Sequence, residues 1–134
     1  MREYFVDTWF LVAIFDPADA HHVAARRIDR RLAGVPLVTH DGVFTEMLAT
    51  FADEGETVRK SAAQLVRQWM SRCLALPSDR KYFQAALRLY EDRPDKEYSL
   101  VDCMSMVIMR ERDITHVLTN DHHFAQERFT VVNA

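Results

Sequence analysis

From Ser99 to Met109 the chain reads Ser-Leu-Val-Asp-Cys-Met-Ser-Met-Val-Ile-Met, apolar almost all the way round a helical wheel. A helix patterned like that is built to be buried. Only Asp102 and Ser105 interrupt it, and their spacing puts both on one face. Shorter apolar runs and amphipathic stretches alternate along the rest of the chain. Arg2 to Val6 ends in Tyr-Phe-Val and meets Asp7-Thr8, the pattern of a short buried strand followed by a helix N-terminus. Trp9 to Phe15 is apolar at every position and stops at Asp16-Pro17. An Asp cap and a Pro at the first helical position predict a second helix there, running to Leu32. Its inner stripe is Ala20, Ala24, Ile28 and Leu32, its outer face carries Arg26, Arg27, Arg30 and Arg31, and Gly34 ends it.

Val35 to Thr39 reads as a second strand, and Val43, Phe44, Met47, Leu48 and Phe51 trace one face of a third helix. After Gly55, helical spacing holds through Val58, Ala62, Leu65, Val66, Trp69, Met70 and Cys73, the longest helical pattern in the sequence. Leu74 to Leu76 is a candidate third strand. Ser78-Asp79 caps a fifth helix with Phe83, Ala86, Leu87 and Tyr90 inward, and the polar stretch from Glu91 to Glu97, with Pro94, is a loop. The buried helix follows; then come a strand at His116 to Thr119, a turn at Asn120-Asp121, a short helix from His122 to Gln126 and a last strand from Phe129 to Val132. This alternation predicts an α/β fold, a three-layer sandwich with a mainly parallel central sheet and helices on both faces.

Composition narrows the picture. A chain of 134 residues, 49% of them hydrophobic, is sized for one compact domain spanning 1–134. No apolar run approaches the roughly 18 residues of a membrane span, and no basic region precedes a secretory apolar segment, so the expectation is a cytoplasmic protein without membrane contact. Cys73 and Cys103 lie in apolar helical patterns without metal-type spacing, which reads as buried thiols in a reducing compartment. The net charge of −3 lacks the basic excess usual in nucleic-acid binders. Binding to nucleic acid would then rest on local basic patches or on metal ions.

Four acids carry the candidate chemistry. In an open parallel sheet, ligands bind outside the C-terminal ends of the strands, where strand order reverses. Asp7 and Asp121 each follow a strand and belong at that edge. Asp102 starts the buried helix, whose position depends on packing, and Ser99 with Asp102 also fits a capping box. Glu46 falls on the outer side of its wheel, the pattern of a solvated surface acid. Taken singly, each has a structural explanation as cap, first-turn acid or surface charge. Converging in one cleft, they would repel one another unless a cation neutralised them, and hard oxygen ligands suit Mg²⁺ or Mn²⁺. That is the chemistry of metal-assisted phosphodiester hydrolysis.

Other residues add less. His21-His22 and His122-His123 suggest zinc, but adjacent histidines on a helix point about 100° apart, and no cysteine or carboxylate spacing completes a site. The arginine run from 26 to 31 fits a solvated helix face better than an RNA track. Trp9, Phe10, Trp69 and Phe83 read as core rather than as base-stacking platforms.

The strand ending in Val6-Asp7-Thr8, Thr45-Glu46 on a helix, Leu100-Val101-Asp102 behind a serine, and Thr119-Asn120-Asp121-His122-His123-Phe124 resemble, in order and spacing, the PIN-domain ribonucleases. The short chain is most similar to the VapC-type toxins of toxin–antitoxin pairs. The resemblance implies a metal-dependent endoribonuclease with Asp7, Glu46, Asp102 and Asp121 as its acidic site. Asp7 and Asp102 match the positions most directly associated with Mg²⁺ or Mn²⁺, and Thr119 matches a hydroxyl residue that orders the site. Where some relatives carry a further acid, this chain has His123. The resemblance also implies an RNA substrate, a small antitoxin covering the acidic groove and a homodimer. The competing reading is a non-catalytic PIN-fold RNA-binding or scaffold module, against which all four acids argue. A receiver domain would need a late lysine, and none follows Lys96. A haloacid-dehalogenase-type phosphatase would need an aspartate where Trp9 stands.

Overall fold

A computed structural model describes residues 1–133. Its elements are β1 (Tyr4–Val6), α1 (Thr8–Phe15), α2 (His22–Arg31), β2 (Leu37–His40), α3 (Asp41–Thr50), α4 (Glu56–Arg72), β3 (Leu74–Leu76), α5 (Arg80–Asp92), α6 (Leu100–Glu111), β4 (His116–Leu118), α7 (His122–Gln126) and β5 (Thr130–Val132). The strands form one sheet in the order β3-β2-β1-β4-β5, and every neighbouring pair is parallel. The chain adds strands outward from β1 to β3, then returns to place β4 on the other side of β1. The reversal therefore lies between β1 and β4, where Val6 pairs with Leu118. Asp7 is the next residue after β1, and Thr119 the next after β4.

Successive strand residues point to opposite faces, so a strand buried at every position is covered on both. Leu37, Val38, Thr39 and His40 are all buried, as are Phe5, Val6, Val117 and Leu118. Helices on both faces supply the cover, as the alternating pattern predicts. The helix at the centre of that pattern, α6, is buried over most of its length: Cys103, Ser105, Met106, Ile108 and Met109 have no exposed surface, and only Arg110 and Glu111 at its end are exposed.

Two helices depart from the expected pattern. The second begins at His22 rather than Pro17, because Asp16 Oδ1 accepts from the Ala18 N–H at 3.0 Å and Asp19 Oδ1 from the His21 N–H at 2.8 Å. Such short-range bonds compete with the helical ladder and hold residues 16–21 in turns. Its buried residues are Ala25 and Ile28, while Ala20 is exposed and Ala24 and Leu32 are half-buried. On α5, Ala86 and Leu89 face inward, and Phe83, Leu87 and Tyr90 are among the exposed large hydrophobic residues. That helix has two apolar rows, and packing along α6 selects the one containing Ala86 and Leu89. Leu48 and Met70 are likewise exposed.

Candidate active site

Asp7 sits where β1 gives way to α1, buried, and it caps nothing with its side chain. Its Oδ2 accepts a hydrogen bond from the Thr119 hydroxyl at 2.7 Å. Its Oδ1 is buried and has no partner. Thr119 Oγ1 in turn accepts from the Asp121 N–H at 3.1 Å, so one hydroxyl ties the end of β1 to the turn after β4. Thr39 steadies the same edge from β2, donating to the Val6 carbonyl at 2.8 Å.

Asp102 comes to this edge on the first turn of α6. The capping box is real: Ser99 Oγ accepts from the Asp102 N–H at 3.0 Å, and Asp102 Oδ2 from the Ser99 N–H at 3.1 Å. The cap holds a carboxylate that also borders the cleft at this edge, so the two readings of Asp102 do not exclude each other. Asp121 also serves as a cap, its Oδ1 accepting from the His123 N–H at 2.9 Å at the start of α7.

Asp7, Glu46, Asp102 and Asp121 open into one cleft of about 320 Å³, with Trp9 and Val12 as its apolar side. Two expectations change here. Glu46 is half-buried against the cleft rather than a free surface acid, because α3 packs on both α1 and α6. Trp9 lines the cleft as well as packing against the core. The outward arginines of α2 are exposed, and among the described residues none of them lines this cleft.

His40 supports the cleft from beneath. Its ring caps α3, Nδ1 accepting from the Gly42 N–H at 3.0 Å, which leaves Nε2–H to donate to Ser105 Oγ at 2.9 Å. The Ser105 hydroxyl donates onward to the Val101 carbonyl at 3.0 Å. The bonds join the helix of Glu46 to that of Asp102, and burial lowers the His40 pKa to about 4, keeping the ring neutral.

The electrostatics are those of an acid cluster with too little positive charge. Burial raises the Asp7 pKa to about 7, with the charges of Asp102 and Glu46 adding to it and the Thr119 hydrogen bond opposing. Burial also raises Asp102, and the Asp121 charge adds to the shift. Such a site favours a cation. The donor set fits one: one ligand atom each from Asp102, Asp121 and His123 lie within 4.8 Å of one another, and the bare Asp7 Oδ1 faces no partner of its own. Carboxylate oxygens suit a divalent ion such as Mg²⁺ or Mn²⁺.

His123, which stands where some relatives carry a further acid, is brought into the acid cluster. Its Nδ1 lies 3.3 Å from Asp102 Oδ2 and 3.2 Å from Asp121 Oδ1, whereas His122 is exposed. The signal was the Asp-x-His spacing at a helix start rather than the adjacent histidine pair.

The family model of the PIN domain matches residues 4–129. The chain belongs to the PIN domain family. Solved PIN-fold structures resemble it over nearly its whole length. VapC20 of Mycobacterium tuberculosis, described as a sarcin–ricin loop cleaving toxin, superposes with a TM-score of 0.84 at 22% identity, covering 98% of this chain and 99% of that one. VapBC2 from Rickettsia felis, solved bound to a DNA fragment from its promoter, gives 0.71 at 12% identity with 98% of each chain covered. FitAcB from Neisseria gonorrhoeae gives 0.67 at 16%, covering 97% of this chain and 96% of that one. At these identities the likeness is one of fold. No curated protein matches the sequence. Among the described residues, no helix of this PIN domain is long and apolar enough to cross a membrane.

Proposed function

We propose that this PIN domain, acting as one unit over residues 1–134, is a metal-dependent endoribonuclease and the cytoplasmic toxin of a toxin–antitoxin pair. The observation that carries the reading is the convergence of Asp7, Glu46, Asp102 and Asp121 at the point where strand order reverses, with a buried carboxylate oxygen left unpartnered. Asp7, Asp102 and Asp121, with Glu46 beside them, would hold Mg²⁺ or Mn²⁺. When bound, such an ion lowers the pKa of a water and offsets charge on a scissile phosphate. The chain's own residues supply the geometry. Thr119 holds Asp7 through one oxygen and leaves the other free. The capping box fixes Asp102. Glu46 or Asp121, whichever carboxylate is less committed to the ion, orients the attacking water. Trp9 and Val12 bound the cleft on one side with apolar surface.

The description of VapC20 as a sarcin–ricin loop cleaving toxin supports the activity, and the resemblance to VapBC2 and FitAcB supports an antitoxin partner. An antitoxin placing a basic side chain against the carboxylates would silence the cleft. The exposed Phe83, Leu87 and Tyr90 of α5 offer apolar surface for a homodimer or for that partner.

The test is cleavage of mixed single-stranded RNA by the purified protein with and without Mg²⁺ or Mn²⁺, beside Asp102→Asn. Metal-dependent cutting that the variant lacks supports the reading. An Asp102→Asn protein that cuts at the wild-type rate overturns the assignment.

A further inference from the structure

Beside two carboxylates of this cleft stands a group that can offer nitrogen: one atom each from Asp102, Asp121 and His123 lie within 4.8 Å of one another. His123 presents a single nitrogen, Nδ1, to two carboxylates on different elements: Asp102 Oδ2 on α6 at 3.3 Å and Asp121 Oδ1 at the start of α7 at 3.2 Å. The backbone sets part of this aim, because the same Asp121 oxygen accepts the His123 N–H at 2.9 Å.

The ring is also held from behind. Tyr98 packs edge-on against it, with centroids 5.2 Å apart. Tyr98 is buried and donates its hydroxyl to Glu127 Oε2 at 2.8 Å. Glu127 is in turn clamped by Arg93 at 3.0 Å and Arg110 at 2.6 Å. The Tyr98 contact restricts how the imidazole can turn, and so helps keep Nδ1 towards the two carboxylates.

A hydrogen bond to two carboxylates would alone explain a histidine here. The Asp7 carboxylate is the independent observation that points to a ligand. Its Oδ1 is buried, unpartnered and borders the same cleft as Asp102 and Asp121, a carboxylate oxygen whose need for a positive partner the His123 hydrogen bonds do not meet. Mg²⁺ prefers an all-oxygen shell and keeps its waters, whereas an imidazole ligand favours first-row transition ions.

We infer that His123 Nδ1 is a nitrogen ligand of the cleft's cation, together with Asp102 and Asp121, and that it makes this protein select Mn²⁺ over Mg²⁺. The inference rests on the reading of the cleft as a metal site.

The experiment uses the full chain, freed of metal by chelation and then titrated calorimetrically with MnCl₂ and separately with MgCl₂. Pulsed electron paramagnetic resonance on the Mn²⁺-loaded protein reads directly bonded ¹⁴N. Wild type should bind Mn²⁺ more tightly than Mg²⁺ and show the nitrogen coupling. His123→Asn should lose the coupling, and its Mn²⁺ affinity should fall roughly ten- to a hundredfold, the usual effect of disturbing a metal's ligand surroundings. Its Mg²⁺ affinity should change far less. His122→Asn, altered at the exposed neighbour, should keep both properties. Near-ultraviolet circular dichroism of each variant guards against misfolding.

Absence of nitrogen coupling in Mn²⁺-loaded wild type overturns the inference. So does an unchanged Mn²⁺-to-Mg²⁺ preference in folded His123→Asn, or failure of the wild type to bind either ion. RNA cleavage by the same Mn²⁺-loaded sample separates this from the ribonuclease proposal. Coupling without cleavage sinks the nuclease alone, and cleavage without coupling sinks the His123 ligand alone.

Discussion

The Thr119 hydroxyl lies 2.7 Å from Asp7 Oδ2, joining residues 112 positions apart in the chain. Its one proton goes to Asp7, and its lone pair receives the Asp121 N–H at 3.1 Å. Thr119→Val keeps the shape and removes both bonds. It should cost about 1–3 kcal/mol in urea denaturation, the range for leaving buried polar groups unpaired. Cleavage should fall on the order of 10- to 100-fold through misplacement of the two aspartates. Thr119→Ser keeps the hydroxyl and should retain most activity. A valine variant as active as wild type would show that this hydroxyl does not order the site.

Asp7 makes its own contribution to the pH dependence of the metal-free protein. Burial raises its folded pKa from 3.8 to about 7, so between those values the folded state holds a proton that the unfolded chain releases. Stability from this group is therefore present in full below about pH 4 and is lost as pH rises towards 7. At about 1.4 kcal/mol for each tenfold change in proton affinity, the loss is on the order of 4 kcal/mol. Asp7→Asn removes the titration. The metal-free variant should melt above wild type at pH 8, with the difference shrinking towards pH 4, while its nuclease activity is lost. Thermal melts in chelator across that range check the sign; a variant less stable than wild type at pH 8 would contradict it.

How much of this was legible in the sequence depends on what each pattern reports. Apolar periodicity reports burial, so it found α6, the strands and the edge that carries Asp7 and Asp121. Where two apolar rows compete, as on α5, periodicity cannot choose, and α6 made the choice. Glu46 was reached through the resemblance and not through its wheel, for a related reason. A wheel shows which side of a helix avoids the core, but the packing of α3 on α1 and α6 decides that this side borders a cleft. The start of α2 was lost to Asp16 and Asp19, whose side chains bond to backbone two residues on. His123 was legible only as the residue in place of a further acid, because its contacts with Asp102 and Asp121 depend on how α6 packs against α7.

Gly42 and His40 form a pair that neither residue announces alone. A Cβ placed on Gly42 would stand 2.7 Å from His40 Cε1 and 2.8 Å from Nδ1, closer than real contacts allow. The ring cannot swing aside without giving up its bonds to Gly42 and Ser105, and it lies in the core with Phe5, whose centroid is 6.0 Å away. Gly42→Ala should therefore destabilise the protein by about 1–3 kcal/mol through overpacking. His40→Ser keeps a side-chain oxygen at the cap but leaves a cavity, and it should destabilise as well. In the double variant the new methyl group enters the space the ring vacated, so the two losses should not add. A thermodynamic cycle by urea denaturation should give a coupling of roughly 0.5–3 kcal/mol in the favourable direction. Because α3 carries Glu46 towards the cleft, cleavage should fall in Gly42→Ala and recover in part in the double variant. Additive losses would mean that the backbone at Gly42, rather than the imidazole beside it, sets the requirement for glycine.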